Sequence, residues 1–100
     1  MVFDTVKSTF SFSKTITDVA QPLLEHNIPF YEANFHVYTN DVNYGDGTVM
    51  SAIAQTNGVL YFEKANIRDF FFKNRTAGNA GTVVVVATVP FDIVKKALGL

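Results

Sequence analysis

The chain has 100 residues, 48% of them hydrophobic and 17% charged, with a formal net charge of −1. That size holds one domain with one modest core, and the low charge and high apolar content exclude disorder. The near-neutral balance argues against nucleic-acid binding through net charge, and the absence of cysteine excludes a disulfide framework, a thiolate zinc site and a cysteine nucleophile.

Met1-Val2-Phe3-Asp4 carries an early acid and no basic region ahead of an apolar one, so it does not read as a secretory signal. No apolar run approaches the ~20 residues that span a bilayer, and the expectation is a soluble chain. The ten Phe, four Tyr and abundant Val and Thr favour strands throughout. In residues 8–16, Phe10, Phe12 and Ile16 share one face at period 2, with Lys14 the exception and Ser11, Ser13 and Thr15 opposite. Pro22 interrupts residues 19–24, which read as an edge strand or an irregular segment. Residues 30–39 alternate clearly: Tyr31, Ala33, Phe35 and Val37 on one face, Glu32, Asn34, His36 and Tyr38 on the other. Ala33, Phe35 and Val37 are assigned to the core.

Residues 40–47 are dense in Asn, Asp and Gly and read as a turn. A short strand over 48–53 and a second alternating strand over 59–64 follow. Residues 67–73 hold Phe70, Phe71 and Phe72 in succession, a strand apolar on both faces, one of them covered by another element. Residues 74–81 read as a hairpin-type loop. Residues 82–89 are a long β-branched run, apolar on both faces, and read as a central strand. Pro90 stops it. Asp92 early and Lys95 and Lys96 late suit a short helix over 91–98, ended by Gly99, with Phe91, Val94 and Leu98 on one face. Turn signals roughly every 8–15 residues indicate an all-β fold: a small antiparallel β-sandwich or jelly-roll-like barrel. Its single domain spans 1–100, with the core at about 8–89, an N-terminal arm at 1–7 and a helical tail at 90–100.

Chemistry-bearing motifs are few. No glycine-rich phosphate loop and no serine elbow occurs, and catalysis is not expected. Glu32, Asn34 and His36 share a strand face but read as solvated rather than as metal ligands. Residues 41–47 resemble a calcium loop only superficially, because Gly45, Asp46 and Ala52 fall where a ligand, a glycine and a glutamate are needed. Asn74-Arg75-Thr76 matches a glycosylation sequon and is expected to stay unmodified. Lys64, Arg68, Lys73 and Arg75 flank the Phe70–Phe72 run, where stacking on single-stranded bases is conceivable, but Glu63 and Asp69 offset half of that charge. No cofactor is expected.

Residues 65–74, followed by Thr76-Ala77-Gly78-Asn79-Ala80-Gly81-Thr82-Val83-Val84-Val85, resemble the C-terminal hairpin of small all-β virion proteins of tailed phages. In those, an Asn-Leu-x-Asp strand leads through a Thr/Ala/Gly/Asn loop into a valine-rich strand. Gly58-Val59-Leu60 and the alternating strand over 30–39 fit the same layout, so the likeness covers about residues 28–89. The turn before the penultimate strands departs from that pattern, and the two ends have no counterpart in it. The resemblance implies a non-enzymatic structural virion protein, chiefly a capsid decoration or cement protein, or a head- or tail-associated component. It would act in the virion, assembled in the host cytoplasm, against a major capsid or tail protein, as a homo-oligomer or a lattice-bound subunit, with no membrane or nucleic-acid partner. Phe3, Phe10, Phe12, Phe71, Phe91, Val94 and Leu98 are the candidate partner-binding residues. The alternative is a carbohydrate- or ligand-binding β-module stacking sugars on Tyr31, Tyr38, Tyr44 and Tyr61.

Overall fold

The alternation of the β-branched and aromatic segments is realised as strands in a computed structural model of the chain, in which residues 7–99 are described. Among them are eight strands: β1 (Lys7–Thr15), β2 (Gln21–Pro22), β3 (Pro29–Tyr38), β4 (Val42–Gly45), β5 (Ala52–Ala54), β6 (Val59–Asn66), β7 (Phe71–Asn74) and β8 (Thr82–Pro90). A 3-10 turn (Ile67–Asp69) precedes β7, and helix α1 (Phe91–Ala97) follows β8. All pairings are antiparallel. One sheet has the order β1-β8-β3-β6 and the other β2-β7-β4-β5. This is the eight-stranded order of a jelly roll, and of the two expected architectures it selects that one.

The core lies between the sheets. From the first come Ala33, Phe35, Val37, Val83, Val85, Ala87 and Val89, all buried. From the second come Val42, Ala54 and Phe72. Phe35 stacks on Phe72 with ring centroids 5.9 Å apart, and Tyr44 meets Phe62 edge-on at 6.4 Å, so the aromatic residues bridge the layers. β8 sits between β1 and β3, the central position expected for a strand apolar on both faces. Pro22 lies in an edge strand, where its missing N–H costs no ladder bond.

Four expectations need correction. Residues 42–45 form a strand, not a turn: Val42 and Tyr44 alternate inward and β4 is paired on both sides, which outweighs the turn propensity of their neighbours. At the start of β3 the buried residue is Phe30, not Tyr31, whose ring lies 4.7 Å from the Lys7 ammonium. Opposite this point Lys64 adopts a positive φ of 51°, and the two-residue alternation breaks. The segment over 74–81 is not a hairpin loop, because β7 pairs with β2 and β4 while β8 pairs with β1 and β3. It crosses from one sheet to the other. Finally, Lys7 belongs to β1, so the expected arm reduces to residues 1–6, outside the described residues.

Candidate functional site

Of the candidate partner-binding residues, Phe10, Phe91, Val94 and Leu98 gather in one place, and Phe12, Phe71 and Phe3 do not join them. Phe10, Phe91, Val94 and Leu98 come together with Ser8, Thr9, Val89 and Lys95 around one pocket of about 210 Å³. Its walls follow from local structure. Ser8 and Phe10 project from the inner face of β1, and Ser8 pairs with Val89 of β8. The chain leaves β8 at Pro90, whose fixed φ suits a helix start, and α1 then folds back so that Val94 is buried. Asp92 in the first turn and Lys95 and Lys96 in the last match the helix dipole. Gly99, at φ 72°, terminates the helix, its N–H donating to the Lys96 carbonyl.

The pocket is apolar in its walls, with Ser8, Thr9 and Lys95 as its polar members. Phe91, one of its walls, remains 43% exposed, while Ile93, 50% exposed, lies on the opposite face of α1. This end of the molecule therefore combines a shallow apolar recess with protruding apolar side chains. The period through Phe91, Val94 and Leu98 marks the inward face of α1, and Ile93 falls outside it. Ser8, Thr9, Val89 and Lys95 carry no sequence signal, since their place depends on where α1 returns.

Phe12 lies outside the pocket, half-buried with its ring 5.5 Å from that of Phe10. Phe71 belongs elsewhere: it faces away from the core on β7 and lies under Gly47, where even an added methyl would come within 3.2 Å of its ring. Phe3 lies outside the described residues.

The outer face of the first sheet is a second exposed region. The register aligns Ser11, Val86, Asn34 and Tyr61 in one row across it and Ser13, Val84, His36 and Val59 in the next. Val59 and Tyr61 are half exposed. His36 and Tyr38 stack with rings 6.3 Å apart. The Tyr61 hydroxyl donates to Glu63 (2.9 Å) and lies 3.1 Å from Glu32, which pairs with Glu63 across the strands. The Glu63 bond, then burial, then Glu32 push the phenol up to about 12. Among the described residues no group of three His, Asp or Glu side chains is placed to hold a metal ion. The four tyrosines do not form one surface: Tyr44 packs inward against Phe62 and Phe72.

The loop acids are engaged by the loops themselves. Asp46 accepts from the Thr48 and Val49 amides at 2.8 Å, which holds its carboxyl below the usual range. Asp41 accepts from the Thr56 amide and hydroxyl and pairs with Arg75 at 3.0 Å, and is lowered first by the Thr56 amide. Arg75 is thus tied to an acid, and Phe70 and Phe72 point inward, so the aromatic–basic run does not form a stacking platform. The sequon asparagine, Asn74, is buried. Its amide donates to Asp18 (2.8 Å) and its carbonyl accepts from the Gly81 amide (3.2 Å), leaving no accessible acceptor nitrogen in the folded chain.

No described helix is long and apolar enough to cross a membrane. No family model, curated protein or solved structure matches the chain.

Proposed function

We propose that the chain is a non-enzymatic structural protein that attaches to a larger protein lattice, as a capsid decoration or cement protein of a phage-like particle. The observation that carries the reading is the gathering of Phe10, Phe91, Val94 and Leu98 around one apolar recess, with Phe91 still 43% exposed at its rim. A recess with such a rim fits an apolar segment of a neighbouring protein. The jelly-roll strand order supports the reading as a fold-level analogy, since viral capsid domains use it, but lectins and cupins do too. Many copies on one particle would turn a modest contact into stable attachment through effective concentration. Sugar binding has weaker support, because Tyr44 is packed inside and the Tyr61 hydroxyl is engaged by two carboxylates.

The test is capture of tagged wild-type and Leu98→Arg chains from the native source. The wild type should retain a shell or tail protein in fixed stoichiometry, and the variant should lose it while keeping its circular dichroism. Equal retention by both chains would contradict docking at the recess.

A further inference from the structure

β1 is a nine-residue edge strand of the first sheet. Such an edge presents a row of unpaired backbone donors and acceptors. The ladder fixes which residues present them. Ile16 donates its amide to Gly81, continuing the β1–β8 register, so the even-numbered residues of β1 bond to β8. Two strands further on, Val37 donates to Gly58, which requires the same parity across the sheet. The N–H and C=O groups of Lys7, Thr9, Ser11, Ser13 and Thr15 therefore point to the open edge. Among the described residues none hydrogen-bonds to them.

The strand reads Lys-Ser-Thr-Phe-Ser-Phe-Ser-Lys-Thr, nearly the same in character from both ends about its midpoint, Ser11. We propose that two copies of the chain pair antiparallel through β1 about a two-fold axis at Ser11, giving one continuous eight-stranded sheet. In this register Ser11 faces Ser11, Thr9 faces Ser13 and Lys7 faces Thr15. All of these are residues whose backbone groups point outward, so the ladder closes over the full strand. The intervening residues fall at the non-hydrogen-bonded sites, where side chains come closest. There Phe10 meets Phe12 of the second copy, which places four aromatic rings across the seam on the inner face. Lys14 meets Ser8, and no lysine faces a lysine. Registers that superpose Lys7 on Lys7, or Lys14 on Lys14, shorten the overlap and oppose like charges, so the lysines select the central register. On the outer face the rows through Ser11 and Ser13 continue into the second copy.

Mass measurement in solution tests the pairing. The wild type should have twice the 11.1 kDa chain mass. Ser11→Pro removes the donor at the axis without touching a bond to β8, and should be a folded monomer. Should that variant fail to fold, Ser11→Lys sets two ammonium groups face to face and should weaken the dimer most at low salt. Because the chain has no cysteine, Ser11→Cys supplies a single thiol. A hydrogen-bonded antiparallel pair has a Cα separation of about 5.5 Å, within disulfide reach, whereas copies of residue 13 would lie roughly 13 Å apart along the strand. On oxidation, S11C should therefore cross-link roughly tenfold faster than S13C. A wild type that stays at single-chain mass at millimolar concentration overturns the proposal, and so does a dimer in which S13C cross-links as fast as S11C.

Discussion

At Gly45 the chain passes so close to the next loop that a Cβ would lie 1.8 Å from the Val49 carbonyl oxygen. Backbone rather than a movable side chain occupies that space, so Gly45→Ala should destabilise the fold by about 2–4 kcal/mol, read as a lower denaturation midpoint. Asn74 is the second sensitive position. It links Asp18 to the Gly81 amide, while its own N–H donates to the Thr17 carbonyl. Replacing it with Ala leaves the buried Gly81 amide unpaired and should cost about 1–3 kcal/mol in the same measurement. The acids at 18, 41 and 46 set an acid limit. Asp18 is lowered chiefly by the Asn74 amide, Asp41 by the Thr56 amide and Asp46 by the Val49 amide, each from an ordinary 3.8. A depressed folded-state value means stability that is present above the unfolded value and lost as pH falls through the folded one. The thermal midpoint should therefore hold down to about pH 4 and fall below it. Tyr61 acts with the opposite sign: its phenol is raised to about 12, so its contribution holds below the unfolded value near 10 and is lost as pH rises toward 12. A midpoint that falls between pH 7 and 5 would contradict this assignment.

At the scale of elements, legibility followed burial pattern. β3, β6 and β8 could be read because their alternation or β-branched density leaves few alternatives, and Phe35 sits at their centre, fully buried against Phe62, Phe70 and Phe72. Phe35→Ala should cost about 3–5 kcal/mol in chemical denaturation. β4 was hidden because its two inward residues, Val42 and Tyr44, stand among Asn, Asp and Gly, and only pairing on both flanks makes them a strand. The sheet change between β7 and β8 was hidden for a different reason: local composition marks a loop but not which sheet receives the next strand. α1 was legible from Pro90, the charges at its ends and Gly99. Its role in enclosing the recess was legible only in part, through the shared face of Phe91, Val94 and Leu98. Val94→Ala removes two buried methyl groups from that face and should cost about 1–2.5 kcal/mol while leaving the sheets intact, as circular dichroism would show.

For the molecule as a whole, the jelly-roll order places the ends of β1 and β8 together, so α1 closes one end of the sandwich beside an open strand edge. Apolar recess and edge are adjacent because both include the first half of β1. This adjacency follows from pairing between Lys7–Thr15 and Thr82–Pro90, partners far apart in sequence, which no local pattern reveals. In the proposed two-fold dimer the recess of each copy would border the seam, since Ser8, Thr9 and Phe10 belong to both, and Phe91, Val94 and Leu98 of the two copies would offer a lattice two attachment points. The central claim is attachment to a larger assembly, and the most direct measurement is sizing of the chain from its native source followed by mass spectrometry of what travels with it. Recovery in a megadalton particle beside a major shell or tail protein is the predicted result; recovery only as a small free species would contradict it.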